Sequence, residues 1–435
     1  RDCLLSRGLG DVYKRQDLHR LTRRLDDDPY GDCIWGIVTG YAPEDAMRIA
    51  SAESPLVMTR AMGTTNIDSG RFSESMCILD WQPFQYAEQR GYKEKVTPSF
   101  YTRGLREQEK GDQDSLGVTP KLTQYWEKNA PQFFATASHA TQFNLEMPFG
   151  KGIIVSGNNQ FHVLNKKQFQ EFTTFLRGVL FNGKEDDLMA FIERSKAPVI
   201  KPGPGPAVWL AAGNCLVGDV MKTKNSMAVT ALSRYGFNQL VGYTVPSWYG
   251  KGGWGTLGML FSNHDNSSLA EAWYLNNQFI LDETMTRFPK LMDVHFNSPD
   301  ISGIKDDPEF SKGMAAAGYG MGKDQMGLIH DRDTVAFYGD PAWVARLDES
   351  HAKSPWHISW NDPEDAAKGF TVTANKDAKG RLGVWFPNRI STKTATVTVG
   401  DAATPVDKMG LLTNDFLLLR ELELKKGEKA VVEMK

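Results

Sequence analysis

Residues 201–215 read KPGPGPAVWLAAGNC, and this stretch decides the fold. A Pro- and Gly-rich breaker comes before a continuous apolar run, and the run ends in small residues directly before Cys215. Short apolar runs bounded by breakers are typical of strands that are buried on both faces of a parallel sheet. Proteins of the α/β class place their ligands at the carboxyl ends of such strands. We therefore predict a buried strand that presents Cys215 at one edge of a sheet.

Outward from this stretch, runs with strand character alternate with amphipathic runs of helical character. This alternation predicts an α/β domain with a mostly parallel sheet flanked by helices. Residues 247–255, SWYGKGGWG, are predicted to form a Gly- and Trp-rich loop. The predicted strands are residues 32–41, 76–81, 132–140, 150–157, 206–212, 239–246 and 334–347, and the predicted helices are residues 42–53, 166–183, 225–237 and 267–285.

The pattern of polar and apolar residues changes at both ends of the sequence. Residues 1–16, RDCLLSRGLGDVYKRQ, resemble translated sequencing-adapter read-through at the end of a metagenomic reading frame, and we exclude them from the fold. After residue 350, polar and apolar residues alternate between Gly, Asp and Asn turns, which is typical of antiparallel strands. We expect an α/β domain over residues 17–350 and a small antiparallel β-sandwich over residues 351–435.

Composition argues against several function classes. The chain has 435 residues and a formal net charge of −3, whereas a nucleic-acid-binding domain needs a basic face. No stretch approaches the roughly 20 apolar residues of a membrane helix. The cysteines are few and widely spaced, which argues against a zinc site. We therefore expect no nucleic-acid partner, no membrane span and no catalytic metal, and the oligomeric state stays open.

A catalytic thiol needs a base, and His139 is the histidine that best meets this need. It follows the apolar run QFFATAS, so that two strands end in His139 and Cys215. If these strands are neighbours in a parallel sheet, both side chains lie at one edge, where an imidazole favours the thiolate. His162 is the nearest rival. The alternative interpretations are a buried core thiol at Cys215 and a structural histidine at His139.

Residues around this pair are candidates for substrate binding. The backbone of Gly213 and Asn214 lies in the turn before the thiol, where N–H groups can hold a developing oxyanion. Trp248 and Trp254 flank two glycines and are candidates for the wall of a side-chain pocket, although they equally suit a cover for the core. Oxygen-rich residues in 26–32 and 262–268 suggest a possible structural calcium, but neither segment has EF-hand spacing.

The order of SHAT (138–141) and AAGNCLVGD (211–219), each at a strand end, resembles the caspase-fold cysteine peptidases and is most similar to the gingipain family. Three further segments are similar to parts of that family: WGIVTGYAPEDAMRIA (35–50), LVGYTVPSWYG (240–250) and FYGDPAWVARL (337–347). The resemblance implies an immunoglobulin-like fold for the trailing sandwich and secretion or a cell-surface location. It also implies an acidic residue that orients the histidine, for which Asp80 is placed plausibly, with a turn residue as the alternative.

Two features depart from the family pattern. Ala140 stands where the family has Gly after the histidine, so its methyl group lies beside the expected oxyanion site. The interval of 76 residues between His139 and Cys215 is long, and we expect an insertion within residues 158–203 to account for it.

The expected function is hydrolysis of a protein or peptide substrate through a Cys215–His139 dyad and an acyl-enzyme, with no cofactor required. One alternative is a catalytically inactive homologue that acts as a secreted binding or adhesion protein. A glutamine-amidotransferase-like hydrolase is disfavoured because its G-x-C-x-G elbow needs a Gly at 217, whereas the Gly here is Gly218.

Overall fold

A computed structural model describes residues 15–65, 78–80, 126–127, 130–146, 153–182, 184–220, 223–265, 267–295, 308–349 and 353–435. The helices are α1 (Arg15–Leu21), α2 (Pro43–Ala50), α3 (Lys166–Asn182), α4 (Glu185–Ser195), α5 (Met227–Arg234), α6 (Lys251–Ser262), α7 (Leu269–Arg287), α8 (Pro308–Ala317), α9 (Lys323–Thr334) and α10 (Val406–Met409). The first twelve strands are β1 (Leu56–Met58), β2 (Ala61–Thr65), β3 (Ile78–Asp80), β4 (Phe133–Ala137), β5 (Ala140–Thr141), β6 (Asn144–Glu146), β7 (Ile153–Gly157), β8 (Gln160–Leu164), β9 (Ala207–Ala211), β10 (Phe237–Tyr243), β11 (Val335–Tyr338) and β12 (Ala345–Leu347). The last eight are β13 (Trp356–Trp360), β14 (Phe370–Ala374), β15 (Ala378–Trp385), β16 (Ala395–Val399), β17 (Ala402–Pro405), β18 (Gly410–Leu412), β19 (Phe416–Leu424) and β20 (Lys429–Met434).

The main sheet has the strand order β11-β10-β9-β4-β2-β3. Its four inner strands run parallel, and the two outer strands, β3 and β11, are antiparallel to their neighbours. Every residue of β4, β9 and β10 is buried, as expected for parallel strands that are covered on both faces. The prediction of an α/β protein with a mostly parallel sheet is confirmed.

The central helix α7 packs against α6 and supplies much of the main core. Fourteen of its 19 residues are buried, so the helix is covered around most of its circumference rather than on one stripe. Ser268 begins the helix with a capping box, because its hydroxyl accepts from the Glu271 N–H while the Glu271 carboxylate accepts from the Ser268 N–H. The predicted Ser cap at this helix is confirmed.

Two predicted elements are wrong. Residues 32–41 form no regular strand, because Ile37 is the one residue among them that pairs with β11. Next to it, a Cβ on Gly36 would lie 2.2 Å from the Gly339 carbonyl oxygen, so the chain passes the sheet edge at one close contact. Residues 251–255, predicted as loop, form the first turn of α6, because tight packing of this glycine-rich turn against the sheet outweighs the low helix propensity of glycine.

The segment between β4 and β9 contains a second, antiparallel sheet in the order β5-β6-β7-β8, followed by α3 and α4. The strand predicted at residues 150–157 is β7, and it belongs to this inserted sheet rather than to the main one. Phe143, Phe172 and Phe191 lie in the separate core that the inserted sheet shares with the two helices. The insertion expected within residues 158–203 therefore begins earlier, directly after His139.

Residues 353–435, called here the β module, form a five-stranded and a three-stranded antiparallel sheet. Strand β19 joins the module to the main domain, because the side chains on its two faces pack into two different hydrophobic cores. Phe416 and Leu418 pack into the main core, whereas Leu417 and Leu419 pack into the core of the module. Arg420 on the same strand makes a bidentate ion pair with Asp282 of α7, at 2.7 Å for both contacts.

Within the described residues, the helices are too short or too polar for any of them to cross a bilayer.

The cap of α7 allows a direct test of this packing. Ser268→Ala removes the hydroxyl that accepts from Glu271 N, and we expect it to lower the free energy of unfolding by about 1 kcal/mol. Urea denaturation measures the change. Ser262→Ala is the matched control, because the one bond of the Ser262 hydroxyl within the described residues goes to the Gly258 carbonyl of its own helix. An equal effect of the two substitutions would contradict the capping role.

Candidate functional site

Cys215 and His139 follow neighbouring strands of the main sheet. Strands β4 and β9 are parallel and adjacent, and the register pairs Phe133 with Val208 and Thr136 with Ala211. The chain segments that carry His139 and Cys215 therefore both leave the sheet at its carboxyl edge, called here the site edge. The predicted adjacency of the two strands is thus seen in the backbone.

The thiol of Cys215 is half-buried and contacts the segment that follows β10. Its Sγ lies 3.5 Å from the Ser247 hydroxyl and 3.8 Å from the Ser247 carbonyl oxygen. The Ser247 hydroxyl also donates to the Gly213 carbonyl at 3.2 Å. Leu216, directly after the thiol, has a φ of +59°, which is a strained left-handed conformation for a residue with a Cβ.

His139 is exposed at the same edge. Its carbonyl accepts from the Glu146 N–H at 2.9 Å, which ties the histidine backbone to the inserted sheet. Within the described part of the chain, no hydrogen bond joins the His139 ring to the Cys215 sulfur. The two residues therefore lie at one sheet edge without a direct hydrogen bond between their side chains.

Two predicted oxyanion residues lie inside the protein. The Asn214 side chain is fully buried and bonds to Thr136 and Ser138 rather than facing a cleft. Gly213 is also buried: a Cβ there would lie 2.9 Å from the Ala137 Cβ and 3.1 Å from the indole nitrogen of Trp254. Only their backbone groups can therefore serve a substrate.

The two tryptophans occupy different positions. Trp254 lies in the first turn of α6, half-buried against Gly213, so it backs the turn before the thiol. Trp248 is 38% exposed, and its ring lies beside Tyr249 and His330. Of these two tryptophans, Trp248 is therefore the one whose ring is exposed enough to contact a ligand.

Ala140 and Asp80 lie on strands of different sheets. Ala140 begins β5, pairs with Leu145 and packs against the main core. Asp80 lies on the outer strand β3 and pairs with Met62 near the amino end of β2. It is two strands, or roughly 10 Å, from β4 and towards the edge opposite His139. The structure does not bring Asp80 to the site edge.

A buried His–Asp pair behind the thiol was not predicted from the sequence. His330 Nδ1 lies 2.8 Å from an Asp331 oxygen, and its Nε2 lies 3.2 Å from the Pro246 carbonyl oxygen. Asp331 also accepts from the Gly252 N–H at 2.8 Å, so the pair fixes both ends of the segment between β10 and α6. The side chains of His330 and Asp331 are completely buried, which excludes direct contact with a substrate.

Burial raises the pKa of Tyr243 well above its ordinary value, and the neighbouring Asp331 carboxylate adds to this effect. The neutral Tyr243 hydroxyl accepts from the Gly253 N–H and faces Asp331. Ser247 was also missed in the sequence, although it follows β10 just as Cys215 follows β9. The rule that ligands lie after strand ends would have found it.

Comparison with family models, with curated proteins and with solved structures returned no match. The resemblance to gingipains therefore rests on the sequence motifs alone.

The two segments with possible calcium ligands already have internal partners. Asp265 accepts from His357 Nδ1 at 2.6 Å and from the Ile358 N–H at 2.8 Å. Carboxylate oxygens of Asp26, Asp32 and Asp415 lie within 4.8 Å of one another, and we call these three residues the acidic cluster. The guanidinium of Arg389 contacts all three residues and supplies a positive charge there. A structural calcium stays a prediction.

Burial, together with the charge of Asp26, raises the pKa of Asp32 to about 7. Burial likewise raises the pKa of Asp415 to about 6. An unfolded aspartate has a pKa near 3.9, so the folded protein binds more protons than the unfolded chain from about pH 4 to pH 7. The stability contributed by protonated Asp32 is therefore present at low pH and is lost as the pH rises through its folded pKa.

Close packing at the site edge predicts opposite effects for two glycines of α6. A Cβ on Gly253 would lie 2.1 Å from the Ala212 carbonyl oxygen, whereas a Cβ on Gly258 has no heavy atom within 4 Å. We expect Gly253→Ala to destabilise the fold by about 1–3 kcal/mol through overpacking. Gly258→Ala, the control, should stabilise it by about 0.5–1 kcal/mol through helix propensity. Urea denaturation measures both, and a stabilising Gly253→Ala would show that α6 does not pack against the strand end.

The acidic cluster predicts a pH-dependent substitution. We expect Asp32→Asn to raise the thermal midpoint at pH 8, where it removes a buried charge, and to leave the midpoint unchanged near pH 4, where Asp32 is protonated. Differential scanning calorimetry at both pH values measures the difference. Asp27→Asn in the same segment is the control, because Asp27 is exposed. A lower midpoint for Asp32→Asn at pH 8 would mean that the Asp32 charge stabilises the fold.

Proposed function

We propose that this protein is a cysteine-type endopeptidase with Cys215 as the nucleophile and His139 as the general base. The observation that carries the proposal is the adjacency of the parallel strands β4 and β9, because it brings an exposed imidazole and a half-buried thiol to one edge of one sheet. That edge is where α/β proteins bind ligands. The resemblance of the flanking motifs to gingipains gives independent support.

The chemistry is acyl transfer. His139 takes the thiol proton, and the Cys215 sulfur forms a bond to the scissile carbonyl carbon. The C–N bond then breaks as His139 returns the proton to the leaving amine, which leaves a thioester. Water, deprotonated by His139, attacks the thioester, and the C–S bond breaks to release the carboxyl product and the thiol.

The turn around the nucleophile has a donor for the oxyanion of each tetrahedral intermediate. The N–H of Gly213 donates to Thr136 and the N–H of Leu216 donates to Val245, so both are occupied. Within the described residues, the N–H of Cys215 has no hydrogen-bond partner. We assign the oxyanion contact to this group, because a preorganised backbone N–H is the usual stabiliser of such an intermediate.

Other parts of the proposal rest on the resemblance. The β module corresponds to the immunoglobulin-like domain that follows gingipain-type catalytic domains, and secretion or a cell-surface location goes with it. Trp248 forms a wall for a substrate side chain, since it is exposed beside the thiol segment. The second candidate function, a binding or adhesion protein without catalysis, is favoured by one observation: the His139 ring and the Cys215 sulfur are not hydrogen-bonded to each other.

The proposal predicts that reactivity follows Cys215. We expect the protein to be labelled by a peptidyl acyloxymethyl ketone and to cleave members of a fluorogenic peptide library. Cys215→Ala should abolish both, and His139→Ala should lower kcat by about 10²–10⁴-fold. Cys33→Ala is the matched control and should retain both activities. Labelling that persists in Cys215→Ala would refute the nucleophile, and peptide binding without labelling or cleavage would favour the binding protein.

A further inference from the structure

The backbone ladder that aligns Cys215 with His139 ends before it reaches either residue. The last register pair of β4 and β9 is Thr136 with Ala211, and one further bond runs from the Gly213 N–H to the Thr136 carbonyl at 3.3 Å. Beyond this point the two chains diverge, one into the inserted sheet and the other into the turn before the thiol. Something other than the ladder must therefore fix the distance between the two reactive residues.

The Asn214 side chain spans this gap. Its Nδ2 group donates to the Ser138 carbonyl at 3.1 Å and to the Ser138 hydroxyl at 3.0 Å. Its Oδ1 atom accepts from the Thr136 hydroxyl, which in turn accepts from the Trp209 indole N–H at 2.8 Å. Asn214 precedes Cys215 and Ser138 precedes His139, so one side chain joins the residues directly before both reactive groups.

The network around Asn214 is buried and internally hydrogen-bonded. Thr136 and Ser138 lie two residues apart and therefore face the same side of the chain, with the Asn214 amide bonded to both. The side chains of Trp209, Thr136, Asn214 and Ser138 are at most 2% exposed, so water does not compete for these bonds. A buried amide without partners is unfavourable, which means that any sliding of one strand end past the other leaves polar groups unsatisfied.

We propose that Asn214 is a positioning residue that holds the Cys215 turn and the His139 turn at the separation needed for proton exchange between them. The four residues Trp209, Thr136, Asn214 and Ser138 form what we call the amide clasp. The inference rests on the proposed function, because it explains how the dyad is held. Asn214 touches neither substrate nor the reacting atoms, and it acts through the backbone of its two neighbours.

The test measures the rate of Cys215 alkylation by iodoacetamide from pH 5 to pH 9 in the full chain, with Cys3, Cys33 and Cys77 replaced by alanine so that Cys215 is the one remaining thiol. His139→Ala should move the pH–rate profile towards alkaline pH, since the thiolate loses its imidazole partner. Asn214→Ala should move it in the same direction, and the double variant should move it no further. We also expect kcat/KM for peptide cleavage to fall about 100-fold in Asn214→Ala, mainly through kcat, as a small misplacement of reacting groups predicts.

Two further variants separate positioning from folding. Asn238→Ala is the matched control, because Asn238 is a buried asparagine at the opposite end of β10 that accepts from Arg48, and its profile should equal that of the parent. Thr136→Val keeps the side-chain shape but removes the hydroxyl that anchors Asn214. It should shift the profile in the same direction by a smaller amount, and it supplies the test where Asn214→Ala unfolds.

The outcomes distinguish the inference from the proposed function. A shift in His139→Ala with parent-like profiles in Asn214→Ala and Thr136→Val overturns the amide clasp and leaves the peptidase proposal standing. Identical profiles for the parent and His139→Ala overturn the dyad, and the positioning role with it. Parallel alkaline shifts in all three variants, with Asn238→Ala unchanged, support the clasp.

Discussion

The pairing of β4 with β9 is the constraint on which the rest of the structure depends. Because the two strands are parallel and in direct contact, the residues that follow them leave the sheet at one edge. Three other parts of the molecule then meet there: the first turn of α6 against Ala212, the segment after β10 against Cys215, and the inserted sheet directly after His139. A different neighbour for β9 would separate the imidazole from the thiol and leave only the architecture.

Close backbone approach is the second requirement, and glycine supplies it. Gly213 fits between Ala137 and Trp254, and Gly253 fits against the Ala212 carbonyl, in each case at a distance that a Cβ would violate. The same packing brings the N-terminal end of α6 next to the turn that carries the thiol. Helix propensity opposes glycine here by about 1 kcal/mol per residue, so tertiary packing, rather than local preference, forms this turn of helix.

The sequence predicted the elements whose signals are local. The apolar run of β9, the capped helix α7 and the alternation of β14 can each be recognised from a few consecutive residues. The errors arise from long-range contacts. Gly36 lies against the carbonyl of Gly339. The side chain of Asn214 points inward because it bonds to Thr136 and Ser138, which lie more than 70 residues earlier in the sequence. Sheet order, and with it the position of Asp80, is likewise a long-range property that no local pattern encodes.

The site edge combines one strained residue with groups that are available to a ligand. Leu216 adopts a left-handed conformation, the Cys215 N–H is without a partner in the described residues, and the His139 side chain is exposed with no hydrogen bond there to hold it. The left-handed conformation of Leu216 is unfavourable for a residue with a Cβ, whereas the Cys215 N–H and the exposed His139 ring are groups that a ligand can contact. Directly behind them, the buried groups of the amide clasp and the His330–Asp331 pair are hydrogen-bonded. An available backbone donor and an exposed imidazole on a hydrogen-bonded support are the features that the proposed acyl-transfer mechanism uses.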